Sequence, residues 1–281
     1  MRRFIIKVVI WCIVGYLISD LTVFLHYKVL KIKSFNGPEV AEAISYSKKQ
    51  YSGIKYLVIG DSVGKQLYDT GRKGNCLSLA CNQAISMAGH FFLLNNYLLK
   101  NEQSKPQEII LVYSPWSFRN NLDQYAYHYM LKHFYNKEYK AFFTRSLKTS
   151  IHSIPHFWTS QIPFIKHSNY SVEYKLEEFG YGLISPITKD YLVMIDNLCK
   201  KNDIPLRITA PPVSEDKKEE INSFFMKAEE KGEMNLLFPA FEKYYENIQY
   251  VPADRFVDNL HFVRDSIPYD FLGIISAENV E

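Results

Sequence analysis

Runs of apolar residues recur along the chain after residue 50 and are separated by polar or turn-forming segments. Their length and apolar character predict strands. The predicted strands are Tyr56–Ile59, Cys76–Cys81, Glu108–Tyr113 and Pro205–Ala210, with a last short one at Ile248–Val251. The run at 108–113 is continuously apolar after its first residue, which favours a strand buried on both faces in a parallel sheet.

Segments between these runs carry apolar residues at helical spacing, which predicts helices. They are His90–Leu99, Lys189–Lys201, Asp216–Lys231 and Asn235–Glu246. A short helix is also predicted after the break at Asn36-Gly37-Pro38. Alternating strands and helices indicate an α/β fold with a parallel sheet and helices on both faces.

The segment from about 116 to 185 interrupts this alternation. It is rich in Tyr, Phe and His and is punctuated by prolines, and we interpret it as a largely helical insertion that covers the carboxyl edge of the sheet. Two roles for its aromatic side chains remain open. They can form core, or they can provide a stacking platform for sugar rings, because amphipathic aromatic residues suit both.

The N-terminal segment is apolar from about Phe4 to Leu25 and follows Met1-Arg2-Arg3. This length is close to the roughly 20 residues that span a bilayer. We therefore predict a transmembrane anchor at 1–27, a juxtamembrane segment at 28–50 and a globular domain at 51–281. A cleaved signal peptide fits less well, because the apolar stretch is long and no small-residue cleavage site follows it. Lysine and arginine flank both ends, so charge alone does not orient the anchor.

Composition narrows the class of protein. The chain has 281 residues, which allows one large α/β domain with an anchor or two small domains. A net charge of +3 without a long basic run gives nucleic-acid binding no electrostatic support. Cys76 and Cys81 can form a disulfide or remain reduced.

Nothing in the sequence requires a metal or a cofactor. Five histidines lack a carboxylate or thiol at metal-binding spacing, so we interpret them as structural or as part of a substrate groove. They are His128, His133, His152, His156 and His167.

The strongest chemical signal is Gly60-Asp61-Ser62-Val63-Gly64, directly after the first predicted strand. Such a position delivers a serine hydroxyl to the carboxyl edge of the sheet, where open α/β sheets place their sites. Near the other end of the chain, Asp258 precedes His261 by three residues. A serine nucleophile needs a base, and an imidazole base needs a carboxylate that fixes its tautomer. We predict that Asp61 caps the following helix or braces the loop.

These residues resemble the SGNH/GDSL hydrolase superfamily, whose first block is Gly-Asp-Ser after the first strand and whose last is Asp-x-x-His. The resemblance spans roughly residues 54 to 265, and its two ends are its specific part. It implies a flavodoxin-like three-layer α/β/α sandwich with a central parallel sheet. It also implies Ser62 as nucleophile, His261 as base and Asp258 as its partner.

The second block of that superfamily normally reads Asn-x-Gly-x-x-Gly and supplies an oxyanion-hole amide. Here the corresponding stretch runs from Asn82 to Gly89, with Met87 where the second glycine is expected. A backbone N–H between Met87 and Gly89 can still serve as a donor. Asn82 either donates toward the site or satisfies the backbone of a turn.

The third block normally offers Gly-x-Asn-Asp, whose asparagine donates to the oxyanion. This chain instead has Ser114-Pro115-Trp116 after the third predicted strand. Ser114 can replace the missing donor, or the hole has backbone donors alone, and Trp116 is a candidate substrate contact. Losing one such donor typically costs about 10²–10³ in rate.

The Ser-Pro-Trp variant is similar to one branch of the superfamily, which includes the membrane-anchored D-alanyl transfer protein of teichoic-acid modification and related proteins of polysaccharide acylation. That branch combines one N-terminal anchor, an extracytoplasmic domain and an aromatic-rich insertion, and works beside a multi-span membrane acyltransferase. The resemblance implies acyl transfer to, or removal from, an envelope polysaccharide or glycopolymer, with the domain outside the cytoplasm. The altered blocks keep a second hypothesis open, a non-catalytic protein that binds glycan or scaffolds a membrane complex.

Overall fold

The computed structural model describes residues 1–25, 38–81, 86–122, 132–154, 157–158, 162, 184–230, 239–258 and 260–275. The helices of this part of the chain are α1 Arg2–Phe24, α2 Pro38–Ser47, α3 Ser62–Leu67, α4 Met87–Lys100, α5 Lys132–Phe134, α6 Lys137–Lys140, α7 Arg145–Ser153, α8 Pro186–Lys201, α9 Lys218–Glu230 and α10 Pro239–Glu246. The strands are β1 Tyr56–Gly60, β2 Gly71–Lys73, β3 Cys76–Ser78, β4 Glu108–Val112, β5 Leu206–Thr209, β6 Val213–Ser214 and β7 Tyr250–Val251.

A five-stranded, mostly parallel sheet with the order β2-β3-β1-β4-β5 lies at the centre of this mixed α/β fold. Its four parallel strands are the first four predicted ones, with somewhat different bounds. The edge strand β2 was not predicted, and it runs antiparallel to β3. Only two residues join β2 to β3, too few for a crossover to a parallel neighbour. Gly74 makes this turn at φ +57°, which a side chain would disfavour.

The last predicted strand, β7, lies outside the central sheet. It pairs with β6, which the sequence did not predict, in a separate two-stranded parallel sheet. Pro211 and Pro212 separate β5 from β6, in agreement with the predicted end of the preceding strand. The chain therefore leaves the main sheet at these prolines, which cannot donate ladder hydrogen bonds.

Alternate side chains of the central strands point to opposite faces of the sheet and enter two separate cores. Leu57 and Ile59 of β1 belong to the larger core, which includes buried residues of α2, α4 and α8. Val58 of β1 and Ile110 of β4 belong to a smaller core, which includes residues of α3 and of the segment 260–275. The C-terminal segment thus covers the face from which α3 rises.

Helix α2 confirms the short helix predicted after Asn36-Gly37-Pro38 and packs onto the domain. Val40 and Ala43 are fully buried, and α2 contacts α4. Near its start, Glu39 forms a 2.6 Å ion pair with Lys65 of α3. Helix α2 is therefore attached to the helix that begins with Ser62.

Helix α1 is long and apolar enough to cross a membrane. Its 23 residues correspond to about 35 Å, compared with a hydrocarbon core of about 30 Å. None of its residues is buried against the rest of the protein. This agrees with the predicted anchor in length and composition.

The described part of the insertion is helical and packs against one helical layer. Phe134 of α5 contacts Phe92 of α4 with ring centroids 5.2 Å apart, and Phe142 contacts Phe91 at 5.8 Å. Helix α7 contacts α8. These aromatic residues form core, one of the two roles left open above. Residues 123–131, 155–156, 159–161 and 163–183 of the insertion lie outside the described part of the chain.

Candidate active site

The turn from β1 to α3 lies directly against the backbone of β4, which explains both of its glycines. A Cβ on Gly60 would come within 2.4 Å of the Val112 carbonyl oxygen, and a Cβ on Gly64 within 2.8 Å. Contacts this short with backbone atoms would require the strand or the helix to move. The two glycines thus let α3 start immediately above the sheet, with Ser62 as its first residue.

Asp61 both caps α3 and braces the end of β4, which confirms its predicted role. Its Oδ1 accepts hydrogen bonds from the backbone N–H groups of Val63 and Gly64, each at 3.1 Å. Its Oδ2 accepts from the Ser114 N–H at 2.9 Å and from the Ser117 hydroxyl at 2.6 Å. The residue is 6% exposed, so a buried carboxylate with four donors ties the ends of two neighbouring strands together.

Asp258 and His261 lie in a short hairpin closed by the bridge between Phe256 and Phe262. The Val257 N–H donates to the His261 carbonyl at 2.8 Å. Asp258 Oδ1 accepts from the N–H groups of Leu260 and His261 at 2.8 and 2.6 Å. The spacing of three residues therefore works as the sequence predicted, since the turn returns the carboxylate to the histidine.

The fold brings Ser62, His261 and Asp258 together as one chain of hydrogen bonds. His261 Nε2 lies 2.8 Å from Ser62 Oγ, and His261 Nδ1 lies 2.9 Å from Asp258 Oδ2. In the tautomer with its proton on Nδ1, the ring donates to the carboxylate and accepts from the serine hydroxyl. The His261 side chain is 33% exposed and that of Asp258 is 57% exposed. The three side chains thus have the mutual geometry of a nucleophile, a base and an orienting acid.

Asp258 is held in its ionised form by the same contacts. Partial burial by itself raises the pKa of a carboxyl group, but here hydrogen bonds from the backbone and ring of His261 outweigh it. With the Leu260 N–H as a further donor, the pKa of Asp258 falls below its ordinary value. The carboxylate is therefore charged across the neutral range and can stabilise an imidazolium on His261.

Gln66 is part of this site and was not identified from the sequence. It lies one helical turn after Ser62, and its Oε1 accepts from the Phe262 N–H at 3.0 Å. Its Nε2 is 3.5 Å from the Phe262 carbonyl oxygen, at the limit of a hydrogen bond. A glutamine four residues after a serine gives no sign of a partner 196 positions away, so no sequence pattern pointed to this contact.

The candidate oxyanion donors are less favourably placed. The Gly89 N–H donates to the Ser86 carbonyl at 3.0 Å, and the Ser114 N–H donates to Asp61. The Ser114 hydroxyl is buried and has no partner within the described residues, so it remains a candidate. Asn82 lies outside the described residues.

The indole nitrogen of Trp116 ties the turn after β4 to helix α9. Trp116 Nε1 donates to Glu220 of α9 at 3.0 Å, and this bond is the leading cause of the lowered pKa of Glu220. Arg119 of the same turn lies over the ring of Phe224, 4.8 Å from its centroid. The turn after β4 is therefore fixed to α9, and the Trp116 ring, which is partly exposed, keeps its candidate role as a substrate contact.

His90 is a histidine of a different kind. It lies on α4, fully buried, and its ring meets that of Tyr113 edge to face at 5.4 Å. Burial lowers the pKa of His90 to about 3, so the ring is neutral at physiological pH. Neither ring nitrogen has a hydrogen-bond partner in the described part of the chain. His90 is thus a core residue, in contrast to the accessible imidazole of His261.

No cluster of three metal-binding side chains occurs among the described residues. Of the five histidines singled out in the sequence, His128, His156 and His167 lie outside that part of the chain. Cys76 and Cys81 are buried and do not form a disulfide, and burial raises the pKa of Cys76 to about 12. Cys76 is therefore protonated at neutral pH.

The arrangement combines a partly exposed serine hydroxyl, an imidazole and a charged orienting carboxylate, which are the groups that serine-dependent acyl chemistry uses. It resembles other serine nucleophile sites in this geometry, which is recognised by roles and distances and not by sequence position. Comparison of the chain with known protein families, curated proteins and solved structures gave no match, so the site stands on its own geometry.

Proposed function

We propose that this protein is a membrane-anchored, serine-dependent acyl- or acetyltransferase or esterase that acts on a cell-envelope polysaccharide or glycopolymer. The observation that carries the proposal is the hydrogen-bonded chain from Ser62 through His261 to Asp258, with distances of 2.8 and 2.9 Å. Ser62 and His261 are 199 positions apart in sequence, so the fold itself brings the hydroxyl to the imidazole.

The reaction begins with attack of Ser62 Oγ on an ester carbonyl. His261 Nε2 takes the hydroxyl proton, and Asp258 stabilises the imidazolium that forms. When the carbonyl–oxygen bond breaks, His261 returns the proton to the departing alcohol and leaves an acyl group on Ser62. A sugar hydroxyl or water then attacks the acyl-enzyme, with His261 again as base, and Ser62 recovers its proton. Transfer and hydrolysis differ only in this acceptor.

The fold and the anchor support the location and family of the proposed enzyme. The parallel order β3-β1-β4-β5 and the elements on both sheet faces are compatible with the flavodoxin-like three-layer sandwich that the SGNH resemblance implies. Helix α1 is long and apolar enough to span a membrane, which supports the proposed anchor. The glycan acceptor, the extracytoplasmic location of the domain and a multi-span acyltransferase as partner come from the family resemblance of the Ser114-Pro115-Trp116 variant.

Covalent trapping tests the proposal directly. The full-length protein in detergent is incubated with a serine-directed fluorophosphonate, and the labelled peptide is identified by mass spectrometry. We expect one label on Ser62, and at least a 10³-fold slower reaction in His261→Ala, because the hydroxyl then lacks its base. Ser117→Ala is a matched control, since it removes a nearby hydroxyl that contacts Asp61 and not His261. Absence of labelling on Ser62 in the folded wild-type protein would contradict the proposal.

A second candidate is a protein that binds glycan or scaffolds a membrane complex without turnover. It is favoured by one observation: the N–H groups of Gly89 and Ser114 both donate within the protein and are not free to stabilise an oxyanion. Ester hydrolysis by the wild type separates the two candidates. Stoichiometric labelling of Ser62 with no turnover of any acetylated glycan, together with glycan binding that survives Ser62→Ala, would support binding alone.

A further inference from the structure

The hairpin that holds His261 is braced within itself, but those bonds do not fix its distance from Ser62. The Phe256–Phe262 bridge and the bond from Val257 to His261 close the hairpin. Asp258 then orients the imidazole within it. A hairpin of this kind can shift as a unit relative to α3 without breaking any of these contacts. Another contact must therefore set where the imidazole meets the serine.

Gln66 provides such a contact. Its side chain reaches both backbone groups of Phe262, the residue directly after His261. Ser62 and Gln66 are four residues apart on α3, so they lie on the same side of the helix, one turn apart. Two successive residues of the hairpin thus meet two successive turns of α3, His261 at Ser62 and Phe262 at Gln66.

The side chain of Phe262 also holds this residue in place, because it is packed in the core. It is 2% exposed, belongs to the core beneath α3 with Val58 and Val63, and stacks on Phe256 with centroids 4.6 Å apart. Its backbone is therefore held between this core and the amide of Gln66. His261 is joined to this anchored residue by a single peptide unit, which limits how far the His261 imidazole can move.

We infer that Gln66 is a positioning residue that holds the His261 imidazole within hydrogen-bond distance of Ser62, an inference that rests on the proposed function. The physical reason is the sensitivity of proton transfer to distance, since a displacement of about 1 Å can cost about 10²-fold in rate. Gln66 itself touches neither the reacting oxygen nor the base. Its effect passes entirely through the backbone of Phe262.

A merely structural role for Gln66 can be separated from positioning, because the C-terminal segment is also attached to the residue that follows α3, farther from the site. There the Leu272 N–H donates to the Tyr68 hydroxyl at 3.0 Å. Tyr68→Phe removes this hydroxyl, which also interacts with Asp270, and so loosens the C-terminal segment at a point ten residues beyond Phe262. It serves as the matched control for loss of a docking contact.

The experiment compares Gln66→Met, Gln66→Glu and Tyr68→Phe in the full-length protein, using the pseudo-first-order rate of fluorophosphonate labelling of Ser62. We expect labelling to slow about 10- to 100-fold in Gln66→Met, which keeps the side-chain length and loses both polar atoms. The labelling rate of Gln66→Glu should be within a few-fold of the wild-type rate. The reason is that the 3.0 Å hydrogen bond from the Phe262 N–H requires only an acceptor, which glutamate keeps. Tyr68→Phe should label within about twofold of wild type.

A spectroscopic measurement gives a readout that does not depend on activity. The proton on His261 Nδ1 that is donated to Asp258 gives a downfield resonance, assigned by its loss in His261→Ala. The Nε2 nitrogen shift of the same ring reports its bond to Ser62. We expect that Nε2 shift to change in Gln66→Met toward the value seen in Ser62→Ala, and to stay unchanged in Tyr68→Phe.

The possible results distinguish failure of the positioning role from failure of the proposed function. Wild-type labelling and an unchanged Nε2 shift in Gln66→Met would overturn the positioning role, as would an equal loss in Tyr68→Phe. If Ser62 of the wild type does not react at all, the proposed function fails, and the Nε2 shift alone decides about Gln66. A shift that changes only in the Gln66→Met variant then supports positioning of the ring without catalysis.

Discussion

The two aspartates of the site occupy turns of the same local design and perform different tasks. Asp61 Oδ1 accepts from the backbone N–H groups two and three residues ahead, and Asp258 Oδ1 does the same in its own turn. In both turns the second carboxylate oxygen is left for another partner. For Asp61 that oxygen receives the N–H of Ser114 and the hydroxyl of Ser117, and for Asp258 it receives His261 Nδ1.

Burial is the difference between the turns. Asp61 is 6% exposed and lies between the ends of β1 and β4, whereas the Asp258 side chain is 57% exposed on a hairpin. Removing the buried carboxylate leaves several donors without water or partner, which is costly. Removing the exposed one leaves donors that water can satisfy. The nucleophile is therefore positioned by the core, and the base by a small set of polar contacts at the surface.

Among the substitutions that test this contrast between Asp61 and Asp258, Asp258→Ala should have the largest effect on the labelling rate. Without the carboxylate, the imidazole loses its tautomer and its charge partner, so the rate of Ser62 phosphonylation should fall by about 10³–10⁴. The free energy of unfolding should fall by about 1 kcal/mol or less, since the turn is exposed. Labelling kinetics and urea unfolding of the full-length protein measure the two quantities.

Asp258→Asn is the control for that change, because it keeps an acceptor for the N–H groups of Leu260 and His261. It should label as slowly as the alanine variant, since a neutral amide does not stabilise an imidazolium. A wild-type labelling rate in Asp258→Asn would show that this carboxylate only shapes the turn, and the contrast with Asp61 would disappear.

Asp61→Ala should show the reverse pattern, with its primary effect on stability. Four hydrogen bonds to a buried carboxylate are lost, and we expect the free energy of unfolding to fall by about 3 kcal/mol or more. Urea unfolding measures this loss. Asp61→Asn keeps one acceptor oxygen and should lose less. If Asp61→Ala is as stable as wild type and only its labelling rate falls, Asp61 acts in the chemistry and not as a brace.

The smallest effect concerns pH. Hydrogen bonds lower the folded-state pKa of Asp258 below its ordinary value, so the unfolded chain binds the proton more readily. The contribution of this carboxylate to stability is therefore complete above about pH 5 and is lost as the pH falls below about 4. The melting temperatures of wild type and Asp258→Asn should differ at pH 5 and above, and this difference should shrink as the pH falls from 5 to 3. A difference that vanishes near neutrality would contradict this assignment.

The fold was predictable where the sequence pattern is local. β1, β3 and β4 carry nearly continuous apolar runs, because both of their faces are covered, whereas β5 is only partly buried. β2 and β6 were not predicted, since β2 is largely exposed and β6 has only two residues. β7 was predicted as a strand, but nothing in its residues specified pairing with β6. Short edge elements of this kind form because a neighbour supplies their hydrogen bonds, and the neighbour cannot be read from the element itself.

The sequence alone determined which residues form the two aspartate turns, because an aspartate that caps the amides two and three positions ahead is a local interaction. It likewise determined the N-terminal apolar helix and the parallel core of the sheet through hydrophobic pattern. Only the tertiary structure decided that His261 meets Ser62, that Gln66 holds Phe262, and that the amides of Gly89 and Ser114 have other acceptors. Each of these depends on distances between segments far apart in the chain, which are set by packing of the two cores and by no property of either segment alone.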